Sequence, residues 1–461
     1  MTSTALVSGS FKTKACRLVV PLLVFGFMSA FGRASLAVSL TPYSSFGGGD
    51  GWLSPGEGGY AYLGTGNLER GLAFGNGHLY LVSRNGGSFV RILDPVSGGE
   101  TGALDMTGIA GGTFLVNMVG VAGDGVVYAG NLTLESTGSP FRLYSWATDA
   151  STPTPIYVGD AGLPGSRLGD SLAVIGSGSS TRVVGGYGNT PVVAGNNGYS
   201  IIDPTASSAT AVAFSSTPPN GGDFRLGITF VDSTHVLGTQ GSSLYHSTSF
   251  SGSTGTLIAS PAIPDPSGAT ADRLLAYTTI AGQPILAVQS IGDAHVSIYS
   301  VADPSAPVWL ASGRNVSGAL AANGNGTGSL TWGATTVNGD GSTSRILYGM
   351  STNSGIQAFT VTLPVPPTVA GDYNKNGVVD GADYVLWRDT LNLAAVPAGT
   401  GADGSGNGIV GPEDYDFWRG KVGNTSGSGV GQSEAVPEPA AMSLGILAVA
   451  AVVLGFRAGR V

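Results

Sequence analysis

Cysteine is almost missing from this chain of 461 residues, and the single one, Cys16, lies in a segment expected to be removed on export. The mature protein would then have no disulfide and no thiol chemistry, so its stability must come from packing and metal binding. Histidine is nearly as scarce. His78, His235, His246 and His295 are scattered, with no HExxH and no acidic or cysteine companions at metal-ligand spacing. No GxSxG occurs, and the Gly-rich stretches have no helix after them, which removes the α/β-hydrolase serine and the phosphate-cradling loop. Charge is sparse, at 11% Asp, Glu, Lys and Arg, and one-sided. Setting aside Lys12, Lys14, Arg17, Arg33, Arg457, Arg460 and Glu438 in the two ends takes 20 basic and 29 acidic residues to 14 and 28, a net −14. Such an acidic surface repels phosphate backbones and excludes nucleic acid as a partner.

What is present starts with two terminal addresses. From Lys12 to Ala37 the order is basic residues, an apolar run Leu18 to Phe31, and a small-residue stretch ending Ala34-Ser35-Leu36-Ala37. This order predicts a signal peptide over 1–37, with a retained anchor as the alternative. At the other end Ala440 to Phe456 is apolar and just long enough to cross a hydrocarbon core as a helix, and Arg457 and Arg460 follow it. Val436-Pro437-Glu438-Pro439 stands immediately ahead. This tripartite segment, 436–461, resembles the PEP-CTERM sorting signal, which implies recognition by an exosortase-type processing enzyme and at least transient contact with the membrane. A plain C-terminal anchor is the alternative. The expected location is the cell envelope or the exterior.

Between the ends, residues 38–363 carry short β-branched and aromatic runs broken by Gly, Asn, Asp and Ser, without sustained helical periodicity. Asn76-Gly77, Asn85-Gly86, Asp124-Gly125 and Asn197-Gly198 read as tight-turn pairs. A longer rhythm sets strands ending near Asp94, Asp149, Asp203 and Asp303, a unit of about 50 residues, enough for four strands and their turns. Six or seven such units closing radially would remove exposed sheet edges. The expected fold is mainly β, a β-propeller of six or seven blades, with a β-sandwich pair or a β-helix as alternatives. The segments Arg70 to Ala73, Leu79 to Ser83, Gly111 to Asn117 and Val126 to Asn131 resemble an uncharacterised family of secreted bacterial propellers, a likeness that implies no activity. A Pro-rich linker (364–370) and a Gly/Ser linker (423–435) then bracket a small domain at 371–422.

That small domain carries the sharpest pattern. Asp372, Asn374, Asn376, Gly377, Asp380 and Asp383 fill positions 1, 3, 5, 6, 9 and 12 of a calcium loop, and Val378 would add its carbonyl at position 7. Calcium takes six to eight hard oxygens, and alternating side chains on a tightly wound loop converge on one point. The pattern returns as Asp403, Ser405, Asn407, Gly408, Ile409 and Asp414, with Gly411 at position 9, where a water would replace the side chain and weaken the site. Solvated Asp/Gly turns are the bland alternative. After each loop, Tyr384 and Trp387, then Tyr415 and Trp418, fall three apart on one helical face and are expected to share a core.

With no amphipathic helix ahead of either loop, and Asp rather than Glu at position 12, segment 371–422 resembles a type I dockerin. The resemblance implies a small α-helical calcium module docking on a cohesin-like protein, usually in systems for the polysaccharide catabolic process. The recognition pair at positions 10 and 11 is Gly381-Ala382 and Pro412-Glu413 instead of the common Ser-Thr, so another surface protein, or the chain's own β domain, is an equal candidate partner. The favoured reading is a non-catalytic surface or matrix protein whose propeller binds a glycan or protein. The alternative is a glycoside hydrolase, which needs two placed carboxylates; Asp105, Asp124, Asp170 and Asp232 are undistinguished candidates.

Overall fold

The computed structural model describes residues 38–239, 245–263, 272–365 and 369–425. The expected signal peptide, nearly all of the Gly/Ser linker and the sorting tail lie outside these. Among the described residues no helix is long and apolar enough to cross a membrane.

The β domain is a succession of four-stranded antiparallel meanders. Glu69–Gly75, His78–Ser83, Phe89–Leu93 and Glu100–Ala103 pair in sequence order, and so do Phe114–Val121, Val127–Leu132, Phe141–Trp146 and Thr154–Gly159. The next sheet has eight strands, because two meanders, Ala173–Ile175 to Ser208–Phe214 and Gly227–Phe230 to Thr254–Ala259, touch through their last strands. That contact is a short parallel pairing, Ala213 opposite Thr254 and Phe214 opposite Gly255. Another meander runs from Asp272–Ile280 to Val308–Gly313. The last group, Gly328–Val337, Thr343–Ser351 and Ile356–Leu363, takes its outer strand from the start of the domain: Ser39–Pro42 lies antiparallel on it, with Leu40 opposite Val361.

The first strand of each meander touches the first strand of the next, and Gly328–Val337 returns to Glu69–Gly75. The arrangement is therefore propeller-like, with the first strands innermost and the fourth strands outermost. Edges are managed accordingly: Glu69–Gly75 is buried along most of its length, while the outer Thr154–Gly159 has no buried residue. Apolar side chains from adjacent sheets fill the wedges between them. Leu79, Leu81 and Leu93 of the first meander pack with Met350 and Ile356 of the last, so the N-terminal and C-terminal sheets share one core. Each such side chain contributes roughly 1.5–3 kcal/mol through burial.

Two inner-strand glycines allow the sheets to approach this closely. A Cβ on Gly71 would lie 2.6 Å from the Val119 nitrogen, and one on Gly227 would lie 1.7 Å from the Arg273 carbonyl oxygen. At both positions the missing side chain is what admits the neighbouring backbone.

The aspartate rhythm has a structural origin. Asp94, Asp203 and Asp303 sit where the third strand of a meander turns into the fourth, and each carboxylate accepts backbone N–H groups just beyond it, Val96 and Ser97, Thr205 and Ala206, and Ser305 respectively. Asp149 occupies the same turn but accepts from the Tyr80 hydroxyl of the preceding meander at 2.6 Å. The double-length gap before Asp303 arises because Ser251 and Thr254 are joined by a tight turn at Gly252, with no aspartate. Of the predicted turn pairs, Asn76-Gly77 adopts left-handed φ at both residues between directly paired strands. Asn197-Gly198 instead ends a longer connection, and the Asn197 amide reaches the Phe214 carbonyl.

Candidate functional site

The small module is two short loop–helix units. Helix α1 spans Gly381–Asp389 and α2 spans Pro412–Arg419. In the first loop the Asp372 carboxylate accepts from the backbone of Asn376 (3.1 Å) and Gly377 (2.7 Å). Asp383, at the third position of α1, accepts from Asn374 N (2.9 Å) and Asp380 N (2.8 Å). The second loop repeats this residue for residue. Asp403 accepts from Asn407 N (3.1 Å) and Gly408 N (2.7 Å), and Asp414 accepts from Ser405 N (2.7 Å) and Gly411 N (2.6 Å). Gly377 and Gly408, at position 6, both have φ of 88°, which explains why glycine stands there.

Asp383 and Asp414 are fully buried, and Asp372 is held above the usual carboxylate range by burial first and then by the charge of Asp383. Asp403 lies below that range, held there chiefly by the Gly399 N–H. Asn374 and Asn376 are exposed, and their side-chain oxygens accept from Asn376 N and Val378 N; Asp380 caps α1 by accepting from Ala382 N. Asn407 plays the part of Asn376, accepting from Ile409 N. Position 9 of the second loop has a neighbouring carboxylate. A Cβ on Gly411 would lie 2.5–2.6 Å from the Glu413 carboxylate oxygens, and Asn407 Nδ2 donates to Glu413 Oε1 at 2.5 Å. The first loop thus has a carboxylate at position 9 and alanine at 11, and the second has glycine at 9 with a carboxylate from 11 folded back over it.

The expected aromatic core is present: Tyr384, Trp387, Tyr415 and Trp418 have ring centroids 5.1–5.9 Å apart. Among the described residues no three His, Cys, Asp or Glu side chains form a metal cluster by themselves. Any cation at these loops therefore relies on a mixed set of carboxylate, amide, hydroxyl and backbone oxygens.

A second concentration of polar groups lies in the β domain. A cavity along the ring axis is lined by residues in or next to the inner strands, including Leu72, Met118, Leu172, Ile228 and Leu330. At the end where these strands begin stand Glu69, Arg70, Asp170, Arg225, Asp272 and Arg273. Asp170 is the one earlier carboxylate candidate found there: it is buried, and Oδ2 accepts from Arg167 Nε at 2.6 Å and Arg225 Nε at 2.8 Å. Asp124 and Asp232 are instead exposed turn caps and Asp105 a half-buried one, accepting from Val126, Thr234 and Thr107 respectively. Sequence reasoning missed the arginines, although Glu69-Arg70 and Asp272-Arg273, which open their inner strands, and Phe224-Arg225, which ends two residues before one, were an available signal. The histidines serve locally: His246, nearly buried, meets Asp223 at 3.0 Å, and His235 meets Asp232 at 2.8 Å.

These features define a mainly β, propeller-like protein with a small helical loop–helix module. Residues 56–222, less than half of the chain, match a family described only as a domain of unknown function, DUF4623. No curated protein matches. Among solved structures the chain is similar to a gluconolactonase of Xanthomonas campestris, at 12% identity over 66% of this chain and 88% of that one, with TM-score 0.39. AofleA from Arthrobotrys oligospora gives 12% identity over 65% and 85%, with TM-score 0.41. The WD40 β-propeller domain of Doa1 gives 11% over 64% and 78%, with TM-score 0.35. Likenesses this distant carry nothing about activity.

Proposed function

We propose that this is an exported, non-catalytic surface or matrix protein in which a six-bladed propeller binds a ligand or partner and a calcium-loaded dockerin-like module attaches or stabilises it. The observation that carries the calcium reading is the pair Asp383 and Asp414: both are fully buried and, among the described residues, each accepts only backbone N–H groups and neither is ion-paired. A buried carboxylate without a countercharge is costly, and a hard divalent cation among the neighbouring oxygens relieves that cost. Asp372, Asn374, Asn376, the Val378 carbonyl, Asp380 and Asp383 would hold the first ion. Asp403, Ser405, Asn407, the Ile409 carbonyl and Asp414 would hold the second, and Glu413 takes the place that Gly411 leaves vacant.

The count of six blades is supported by the innermost strands, which begin at Glu69, Phe114, Ala173, Gly227, Asp272 and Gly328. Export rests on the sequence of residues 1–37, and processing by an exosortase-type enzyme at the membrane on the tail at 436–461. A cohesin-like protein or another surface protein is the partner class for the module, through the exposed Gly381-Ala382 and Pro412-Glu413. A glycan remains a ligand class for the propeller, which would link the protein to polysaccharide catabolism. The test is calorimetric titration of the chelator-treated full chain with calcium, followed in parallel by Trp fluorescence. Two binding events and a changed indole signal are expected. A titration without heat, together with an unaltered melting profile at millimolar calcium, would overturn the reading.

A further inference from the structure

At the end of the axial cavity where the inner strands begin stand five arginines, Arg70, Arg84, Arg167, Arg225 and Arg273, and three buried carboxylates, Glu69, Asp170 and Asp272. The excess of positive charge is notable in a chain whose mature part is strongly acidic. Asp170 is already committed to Arg167 and Arg225. Arg70, only 4% exposed, donates to two neutral oxygens, the Glu69 carbonyl at 3.2 Å and Thr327 Oγ1 at 3.0 Å. Arg273 Nε is buried and meets no acceptor among the described residues, as does Arg84 Nε. Arg84 stacks over the Phe114 ring at 3.4 Å, which fixes the plane of its guanidinium.

These groups feel one another. Burial, followed by the charge of Arg84, brings Arg70 down to about 10, while Asp170 pulls the other way. Burial and then Arg225 lower Arg273. Guanidinium groups gathered in a low-dielectric mouth, with donors left over, are unfavourable by themselves and favourable once an anion arrives. The planar fork of arginine suits bidentate contact with carboxylate or phosphate.

We propose that this end of the cavity binds a small oxyanion, the carboxylate or phosphate group of a low-molecular-weight ligand, between Arg70 and Arg273, with Asp170 as the positioning residue that holds Arg225. The apolar wall formed by Leu72, Met118, Leu172 and Ile228 would receive the uncharged body of the ligand. The inference names a ligand class for the propeller and so rests on the reading of that domain as a binding body. It is independent of calcium.

The experiment is calorimetry on the full chain in a chelator, so that calcium plays no part, with galacturonate, inorganic phosphate and neutral galactose as probes. Binding of either anion and not of galactose supports the proposal. Galacturonate alone identifies a carboxylate, and equal binding of phosphate identifies a general oxyanion site. Arg273→Gln, which removes a side chain whose Nε has no acceptor, is expected to weaken binding at least about tenfold with little change in melting temperature. Arg70→Gln is the second variant and is expected to act in the same direction. No binding of either anion at about 10 mM, or equal binding by wild type and both variants, overturns the proposal while leaving the calcium titration to stand or fall separately.

Discussion

The indole nitrogen of Trp387, in the first helix of the small module, donates to the carbonyl oxygen of Gly411 in the second loop at 2.8 Å. The reciprocal bond runs from Trp418 to the Asp380 carbonyl at 3.1 Å. Each helix therefore fixes position 9 of the other unit's loop, and Tyr373 adds a further tie, its hydroxyl donating to the Asp414 carbonyl at 2.7 Å.

Because the units brace each other, a lesion in one helix should be felt in the opposite loop. Trp387→Phe keeps the ring and removes the donor, at a cost of about 1 kcal/mol in module stability. The expected calorimetric signature is weaker calcium binding at the second loop, with the first loop less affected.

Glu413 is expected to distinguish the second loop from a weak, water-completed site. Glu413→Gln should lower calcium affinity there by roughly tenfold, whereas Ala382→Gln, at the equivalent position of the first loop, should be neutral because Asp380 already supplies its carboxylate. Equal affinities in wild type and Glu413→Gln would restore the water-completed picture.

Gly227→Ala places a methyl group 1.7 Å from the Arg273 carbonyl oxygen, so adjacent inner strands must separate. The expected loss is on the order of 3 kcal/mol, or failure to fold. Gly102→Ala is the matched control: nothing lies within 4 Å of its Cβ position, and chemical denaturation should detect almost no change.

Asp223 carries an acid-dependent part of the stability. Burial alone would raise its carboxyl, but the hydrogen bond from His246 and the Asn220 N–H overcome that and hold it below the usual range. A folded value below the unfolded one means stabilisation present above about pH 4 and lost as pH falls through the folded value. Asp223→Asn should flatten that part of the acid limb in thermal melts between about pH 5 and 2.

Much of the β domain was legible because its devices are local. Asp94, Asp203 and Asp303 announce their turns by accepting N–H groups two or three residues away, which any window of sequence contains. The side chains of Asp372, Asn374, Asn376, Asp380 and Asp383 were legible for the same reason: every N–H group their oxygens accept comes from within nine residues. Asn197-Gly198 misled because the pair terminates a long connection, and turn propensity does not report how far away the paired strand lies. The arginine-rich cavity end was missed because Arg70 and Thr327 lie far apart in the chain and meet only when the ring closes.

By itself the sequence determined the β character, the recurring four-strand unit, the two duplicated acidic loops and the facing aromatic pairs, since these depend on side-chain alternation, turn chemistry and spacing. Tertiary structure alone decided that Ser39–Pro42 completes the last sheet, that Glu413 folds back over Gly411, and that Arg70, Arg225 and Arg273 share a cavity end with Asp170. Those outcomes rest on contacts between distant parts of the chain, or on the rotamer of one long side chain, which backbone closure fixes and composition does not.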